Sequence, residues 1–386
     1  MKLVEEFRDR ETVRAISRRI AALSPPSAVI MEVCGTHTMS AARYGIRSLL
    51  PRGVRLVSGP GCPVCVTSQH EIDEFLALGK LPDVALASFG DMLRVPGSTT
   101  SLERQRAEGT EVWVVYSALD AVDIAQQHPD RSVVFFGVGF ETTMPSVALA
   151  IITAAERHLQ NFFVFCVHKT IPLALRALLA GGVLRQAQDE AGRAGPPPPT
   201  PGPLSGLLCP GHVTTIIGAD AYEFIPREFG LPCAITGFEP VDMMLGIESI
   251  LRQVSEGAAR VDNVYTRATS HLCNPRAREV LDEVFEPCDA EWRGLGVIAG
   301  SGALIRSKYA AHDARLRFAD VLAQVPPPAQ SPCRCGDVLT GAICPDECGL
   351  FGSRCTSADP VGPCMVSSEG ACAAYYRYRG EPPDEA

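Results

Sequence analysis

The first 240 residues repeat one pattern of apolar and polar positions: a short apolar run, a loop with Gly, Pro or Cys, and a segment of helical periodicity. The apolar runs are nearly continuous, which is typical of strands that are covered on both faces. Strands that alternate with helices predict parallel sheets built from β-α-β units. The predicted strands are AVIMEV (28–33), VRLV (54–57), DVALAS (83–88), EVWVVYS (111–117), SVVFFGV (132–138), NFFVFCV (161–167) and PCAIT (232–236).

Seven such strands fit two doubly wound α/β lobes better than one. We expect the first lobe at 1–120 and the second at 121–245. A Pro- and Gly-rich stretch at 185–206 is predicted to be a surface insertion of the second lobe. The third region, 246–386, begins with a helical pattern, contains one strand-like run at 294–300, and ends in a cysteine-rich tail.

Composition and charge exclude several classes of function. The net charge of −9 argues against general nucleic-acid binding, which depends on basic patches. No apolar run approaches the ~18 residues of a membrane span, and the charged N-terminus lacks the apolar stretch of a signal peptide. We therefore expect a cytoplasmic protein.

The cysteines are the first indication of chemistry. Of the 15 cysteines, seven fall between Cys333 and Cys372. Disulfides are disfavoured in a reducing cytosol, where thiols more often bind metal or do redox chemistry. The tail is dominated by Gly, Pro and Cys, so it needs a metal centre to fold. Its residues leave two alternatives open, paired zinc sites or an iron–sulfur cluster held by four of the seven thiols.

Polar residues recur directly after the predicted strands. In open parallel sheets, ligands bind beyond the carboxyl ends of the strands, so these residues are expected to lie at one edge. They include Cys34 and His37, Cys62 and Cys65, Glu141, His168 and Lys169, His212 and Glu239.

Two of these groups suggest a sulfur-rich site. The Cys62-Pro-Val-Cys65 motif can close a disulfide, bind a soft metal, or alternate between dithiol and disulfide. A helix that begins near Ser68 is expected to lower the pKa of these thiols. Cys34 and His37 combine a thiolate with an imidazole, and with the CxxC pair they would form an open iron site. The alternative is a buried cysteine beside a hydrogen-bonded histidine.

Seven longer motifs resemble one family. The chain is similar to the hydrogenase maturation factor HypD family over nearly its whole length. This resemblance implies two α/β lobes that flank a cleft, a small Cys-rich iron–sulfur domain, and a role in building the Fe(CN)2CO fragment of [NiFe]-hydrogenases. The motifs are MEVCGTHTM (31–39), RYGIRSLLP (43–51), SGPGCPVCVT (58–67), GFETTMP (139–145), CPGHV (209–213), TGFEPVD (236–242) and CMVSSEGACAAYY (364–376).

The resemblance also implies roles for individual residues. The family spacing C-x14-C-x6-C-x16-C assigns a [4Fe–4S] cluster to Cys333, Cys348, Cys355 and Cys372. Cys335 and Cys364 then look like a redox-active thiol pair, and Cys344 fits neither role. Ser68 stands where a proline is common in the family, which is a small departure.

In the cleft, the resemblance implies that Cys34, Cys62 and Cys65 take part in holding iron and exchanging electrons. His37 would orient Cys34 or assist proton transfer, and Glu239 and His212 would support the site. The implied partners are the small chaperone HypC and the cyanide-donating protein HypE. The protein would be a scaffold during assembly, more than a free-standing enzyme. An unrelated iron–sulfur thiol/disulfide reductase and a zinc-stabilised binding module remain as alternatives.

Overall fold

The computed structural model describes residues 4–23, 27–181, 204–328 and 331–378. The strands are β1 (Ala28–Glu32), β2 (Val54–Ser58), β3 (Val84–Ser88), β4 (Val112–Val114), β5 (Ser132–Gly137), β6 (Phe162–Cys166), β7 (Gly206–Pro210), β8 (Cys233–Thr236), β9 (Val261–Asn263), β10 (Phe285–Trp292) and β11 (Gly296–Ile305).

The α-helices of the described ranges are α1 (Arg10–Ala22), α2 (Gly35–Arg43), α3 (Pro63–Val66), α4 (Gln69–Leu78), α5 (Leu102–Ala107), α6 (Ala118–Gln127), α7 (Met144–Glu156), α8 (Ile171–Leu179), α9 (Gly211–Ile217), α10 (Phe224–Phe229), α11 (Pro240–Glu256), α12 (Pro275–Val284), α13 (Ala314–Arg317), α14 (Ala319–Leu322), α15 (Cys335–Leu339) and α16 (Ala371–Arg377). None of these helices is long and apolar enough to cross a membrane.

Two parallel sheets form the body of the molecule. One has five strands in the order β2-β1-β7-β8-β9, and the other has four in the order β4-β3-β5-β6. β10 and β11 pair as an antiparallel hairpin. The predicted α/β class with parallel sheets and a Cys-rich C-terminal region is confirmed.

The distribution of strands between the sheets differs from the expected lobes. The chain leaves the five-stranded sheet after Ser58, builds the four-stranded sheet, and returns to the first sheet at Gly206. The sheets therefore do not divide at residue 120. Apolar periodicity predicts that a segment is a strand, but the choice of its neighbour is made by tertiary packing.

The central strand β7 did not appear among the predicted strands. Its sequence GLLCP is short, ends in proline, and follows the Pro- and Gly-rich stretch, so it lacks the length of a typical strand signature. Gly206 begins it and is also the last residue of the insertion predicted at 185–206, of which 185–203 lies outside the described residues.

The region expected to be helical after residue 246 also contains strands. Residues 296–300 of the predicted run at 294–300 form the first half of β11. β10, FEPCDAEW, is not predicted by the sequence analysis, because its short alternation of Cys288, Ala290 and Trp292 with acidic residues follows a proline in a region expected to be helical. Trp292 at its end is fully buried, stacks on Phe140, and donates its indole N–H to the Ser301 hydroxyl at 2.8 Å. The hairpin is thus fixed by one large side chain more than by an apolar pattern.

Both faces of each sheet are buried, as the near-continuous apolar runs predict. A cluster on one face of the five-stranded sheet joins Ile30 and Leu208 to α1 and α11. A second cluster packs the four-stranded sheet against α6 and α7. The third and largest extends between the two sheets, from Met31 on β1 to Phe136 on β5. The sheets therefore share one continuous apolar core.

A buried ion pair fixes α4, the helix that follows the CxxC motif. The Lys169 ammonium lies 3.0 Å from both carboxylate oxygens of Glu71, and Lys169 is only 1% exposed. Glu71 also accepts the Ser68 backbone N–H at 2.8 Å, while Ser68 caps the helix in return. One carboxylate thus anchors the start of α4 to the end of β6.

We expect the Lys169→Met variant to lose roughly 3–5 kcal/mol of unfolding free energy, because it leaves the Glu71 carboxylate buried without its cation. The double variant Lys169→Met/Glu71→Gln should recover much of this loss. Arg278→Met is the control, since its pair with Asp282 is 65% and 61% exposed and should contribute less than about 1 kcal/mol. Urea titration of the three variants measures the losses. Equal losses in both single variants would contradict a special role for the buried pair.

Candidate functional site

Cys34 lies where β1 ends and α2 begins. It is the N-cap residue of α2, with extended backbone angles of −150° and 131°, and is 7% exposed. β1 pairs directly with β2, so the loop after each strand lies beside the other. The Gly35 N–H donates to the Gly61 carbonyl at 2.9 Å, and a Cβ at Gly61 would collide with the Cys34 backbone. The glycine before Cys62 therefore allows the two cysteine loops to touch.

The two thiols of the CxxC motif are in contact with each other. Their sulfur atoms are 2.6 Å apart, and the Cys65 backbone N–H points at the Cys62 sulfur at 3.3 Å. Ser68 begins α4 as the sequence predicts. The expected lowering of the thiol pKa is wrong for Cys65, because burial raises its pKa well above the ordinary value.

The tail brings a second thiol pair against the first. The sulfur atoms of Cys335 and Cys364 are 2.9 Å apart, and the Cys335 sulfur is 3.9 Å from the Cys65 carbonyl. Cys364 neighbours Cys65 closely enough that each shifts the pKa of the other. Four sulfurs thus form one unbroken series, Cys62–Cys65–Cys364–Cys335, which we call the thiol series.

The far end of the thiol series reaches cysteines of the proposed cluster. Cys364 also neighbours Cys372, and Cys335 neighbours Cys333, closely enough to shift the pKa of Cys364 and of Cys333. Cys355 lies within electrostatic range of both Cys333 and Cys372. The sulfurs of the two pairs and those of the tail are therefore neighbours.

The donor set suits an iron–sulfur cluster. The Val361 backbone N–H lies 3.3 Å from the Cys355 sulfur, which is the kind of contact that stabilises a cluster thiolate. Cys348 packs against the Val338, Ile343 and Ala371 cluster, and Ala371 directly precedes Cys372. Within the described residues, no three His, Cys, Asp or Glu side chains are arranged to hold a single metal ion. A [4Fe–4S] cluster does not require that arrangement, since each of its four thiolates binds a different iron.

His37 is held as a neutral imidazole. It is fully buried, and its Nε2 lies 3.2 Å from the Thr236 carbonyl, so Nε2 carries the proton. Its Nδ1 has no hydrogen-bond partner among the described residues. Burial lowers the pKa of His37 to about 4. At neutral pH Nδ1 therefore stays unprotonated and can accept a hydrogen bond.

The other two predicted support residues occupy different environments. His212 stacks on Phe238 with ring centroids 4.0 Å apart, and Phe238 also contacts His37 at 5.1 Å. The Glu239 carboxylate is bound by the Arg8 guanidinium at 2.5 and 2.9 Å. Glu239 also accepts from the Tyr44 hydroxyl at 3.5 Å. His212 thus lies on the His37 side of the cleft, and Glu239 ties the N-terminal segment to α11.

Sequence reasoning missed two tail residues that contact the cleft. The Ser367 hydroxyl is 3.3 Å from the Cys62 sulfur. Glu369 accepts a hydrogen bond from the Thr36 hydroxyl at 2.5 Å. Burial raises the pKa of Cys34 to about 12, and the nearby Glu369 carboxylate adds to this rise. Both residues belong to the segment SSEG between Cys364 and Cys372. Their polarity was the one sequence signal that could have marked them as site residues.

Glu141 lies in the interior of the protein. It is 4% exposed, and one carboxylate oxygen accepts the Ile171 N–H at 3.0 Å. The other oxygen has no partner among the described residues. Burial raises the pKa of Glu141 to about 7. Tyr222, also buried, lies within electrostatic range of both Glu141 and Cys34.

Comparison with known proteins identifies close relatives. Residues 10–379 match the family model HypD, described as the hydrogenase formation hypA family. The chain is 45% identical to hydrogenase maturation factor HypD of Azotobacter vinelandii over 382 residues, which cover 98% of this chain and 97% of the relative. It is 44% identical to HypD2 of Bradyrhizobium diazoefficiens over 98% of this chain and 97% of the relative. It is 40% identical to HypD of Escherichia coli K12 over 98% and 95% of the two chains.

The Glu141 carboxyl should make stability depend on pH. Its pKa is raised from 4.5 to about 7 in the folded protein, so the folded state binds the proton more tightly than the unfolded chain. This contribution is complete below pH ~4.5 and is lost as the pH rises through about 7, at a cost on the order of 3 kcal/mol. Glu141→Gln stays neutral and should gain stability relative to the wild type over that range.

Urea titrations between pH 5 and 8 measure this difference. Glu156→Gln, at an exposed position on α7, is the control and should follow the wild-type profile. A Glu141→Gln profile parallel to the wild type would contradict the assignment.

Proposed function

Because the chain belongs to the hydrogenase maturation factor HypD family, we propose that it is a scaffold on which the Fe(CN)2CO fragment of a [NiFe]-hydrogenase is assembled. The observation that carries this proposal is the thiol series, which joins the CxxC motif of the cleft to the cysteine-rich tail. A scaffold that assembles an iron complex needs thiolates to hold the metal and a path for electrons. The residues of this chain supply both.

Iron is the cargo of this site, and Cys34 is the residue proposed to hold it. A soft thiolate suits low-spin iron that carries cyanide and carbonyl ligands. A second thiolate would come from the small chaperone HypC, and cyanide from HypE, the partners that the family resemblance implies. Cys34 must lose its proton to bind iron. His37 is the third residue of the helix that Cys34 caps, and its unpartnered Nδ1 is proposed to orient the Cys34 thiol as a hydrogen-bond acceptor while the incoming metal displaces the thiol proton.

Cys62 and Cys65 are proposed to alternate between dithiol and disulfide. In the reducing direction, the Cys364 thiolate attacks the Cys65 sulfur of the disulfide and releases Cys62 as a thiolate. Cys335 then attacks Cys364 and releases Cys65. Two electrons have moved, and the disulfide now joins Cys335 to Cys364. The proximity of Cys364 to Cys65 supports this order of attack.

The remaining tail cysteines are proposed to hold a [4Fe–4S] cluster. Cys333, Cys348, Cys355 and Cys372 carry the family spacing, and such a cluster, when bound, supplies or accepts single electrons. Anaerobic purification followed by iron, acid-labile sulfide and visible absorption measurements tests for it. A colourless protein that contains zinc would instead support a zinc-stabilised module.

The Cys34→Ala variant tests the iron site. After anaerobic co-expression with the other maturation proteins, the wild type should show cyanide and carbonyl stretching bands in the infrared, and the variant should lack them. Cys166→Ala is the matched control, because Cys166 is also a buried thiol at a strand end but belongs to the other sheet. A Cys34→Ala protein that kept both bands would refute the proposed site.

The Cys364→Ser variant tests the thiol series. In dithionite-treated protein, we expect the variant to reduce a Cys62–Cys65 disulfide more than about tenfold more slowly than the wild type, because the attacking sulfur is gone. Differential alkylation and mass spectrometry measure the rate of reduction. Cys344→Ser is the control, since Cys344 lies in the same tail but contacts Tyr375. Visible absorption verifies that each variant retains its metal centre. Reduction of Cys364→Ser at the wild-type rate would exclude this route.

A further inference from the structure

The tail segment Ser367–Glu369 lies across the cleft cysteines. Ser367 contacts the Cys62 sulfur at one end, and Glu369 accepts the Thr36 hydroxyl at the other. A Cβ on Gly35 would lie 2.5 Å from the Glu369 carbonyl oxygen, so the two backbones are in direct contact. The segment therefore contacts both the Cys34 loop and the CxxC loop.

The cleft cysteines are closed to solvent in this arrangement. Cys34 is 7% exposed, Cys62 is 3% exposed, and Cys65 is fully buried. With so little of each side chain exposed, neither an iron atom with three diatomic ligands nor a thiolate from another chain has room to approach the Cys34 sulfur. Either one can reach Cys34 only after part of the covering structure moves.

Among the described residues, one exposed hydrogen bond fastens the outer side of the segment. The Ser368 hydroxyl donates to the Asp91 carboxylate at 2.8 Å, and both residues are exposed. Asp91 belongs to the 3-10 helix Gly90–Met92, which follows β3 of the four-stranded sheet. An exposed hydrogen bond exchanges readily with water, so this contact can open at little cost.

The same segment is joined to the thiol series. It follows the 3-10 helix Pro363–Met365, which carries Cys364, and the Ser367 N–H donates to the Pro363 carbonyl at 3.0 Å. Any displacement of Cys364 during thiol exchange is therefore transmitted to Ser367 within one helical turn.

We propose that Ser367–Glu369 is a lid over Cys34 and Cys62, and that Asp91 is the positioning residue that holds it closed. The lid opens to admit the cargo and is linked to the exchange of thiols at Cys364. The function given to the lid, admission of iron, rests on the proposed function. The closure of the lid over Cys34 and Cys62 does not depend on it.

The test is the rate at which iodoacetamide alkylates Cys34 in the full, anaerobically purified protein, followed by mass spectrometry of the Cys34 peptide. Asp91→Ala and Ser368→Ala should each speed alkylation by about three- to tenfold, because they remove the outer hydrogen bond. Asp91→Asn keeps an acceptor oxygen and should stay within about twofold of the wild type. Ser98→Ala is the matched control, since the Ser98 hydroxyl donates to the Asp73 carboxylate in an equivalent exposed pair away from the lid.

Measurements at several pH values separate access from thiol acidity. A more open lid multiplies the rate by the same factor at every pH, whereas a change in the Cys34 pKa changes the shape of the profile. Wild-type rates in both Asp91→Ala and Ser368→Ala, an equal acceleration in Ser98→Ala, or an altered profile shape would overturn the proposal. These outcomes are independent of the infrared test on Cys34→Ala, so failure of the lid and failure of the iron site are distinguishable.

Discussion

The close contact between the tail and the two cysteine loops is the constraint on which the site depends. Gly61 lets the CxxC loop lie on the Cys34 backbone, and Gly35 lets the tail lie on the Cys34 loop. Side chains at these positions would force the three segments apart. The 2.6 Å between the Cys62 and Cys65 sulfurs is set within the CxxC turn, and the packing of the tail brings the Cys335–Cys364 pair, whose sulfurs are 2.9 Å apart, against it.

Burial sets the chemical character of the site. It raises the pKa of Cys34 to about 12 and lowers that of His37 to about 4, so both groups are neutral near pH 7 in the closed arrangement. A neutral thiol and a neutral imidazole cost little to enclose, whereas a free thiolate would be expensive. In the proposed function, incoming iron would supply the positive charge that makes the thiolate stable. The closed arrangement itself favours the protonated thiols.

The sheet topology explains how distant parts of the chain meet. The five-stranded sheet brings β1 and β2 beside β7, so that motifs near residues 34, 62 and 212 share one edge. The four-stranded sheet contributes Glu141, the Lys169 anchor of α4, and Asp91, which accepts the Ser368 hydroxyl. One continuous apolar core joins the two sheets and holds these residues close to the cysteine loops.

The sequence by itself determined the strand-forming runs, the α/β class, and the residue types at the strand ends, because apolar periodicity and glycine placement are local properties. The motif resemblance determined the family. The sequence did not reveal β7, since its five residues carry no strand pattern, nor β10, which Trp292 fixes by packing. It predicted a low thiol pKa for Cys65 from the nearby helix, but the depth of burial reversed the direction. Only the tertiary structure placed Ser367 and Glu369 on the cleft and Glu239 on Arg8, because contacts between residues some 230 to 330 positions apart depend on how sheets and tail pack.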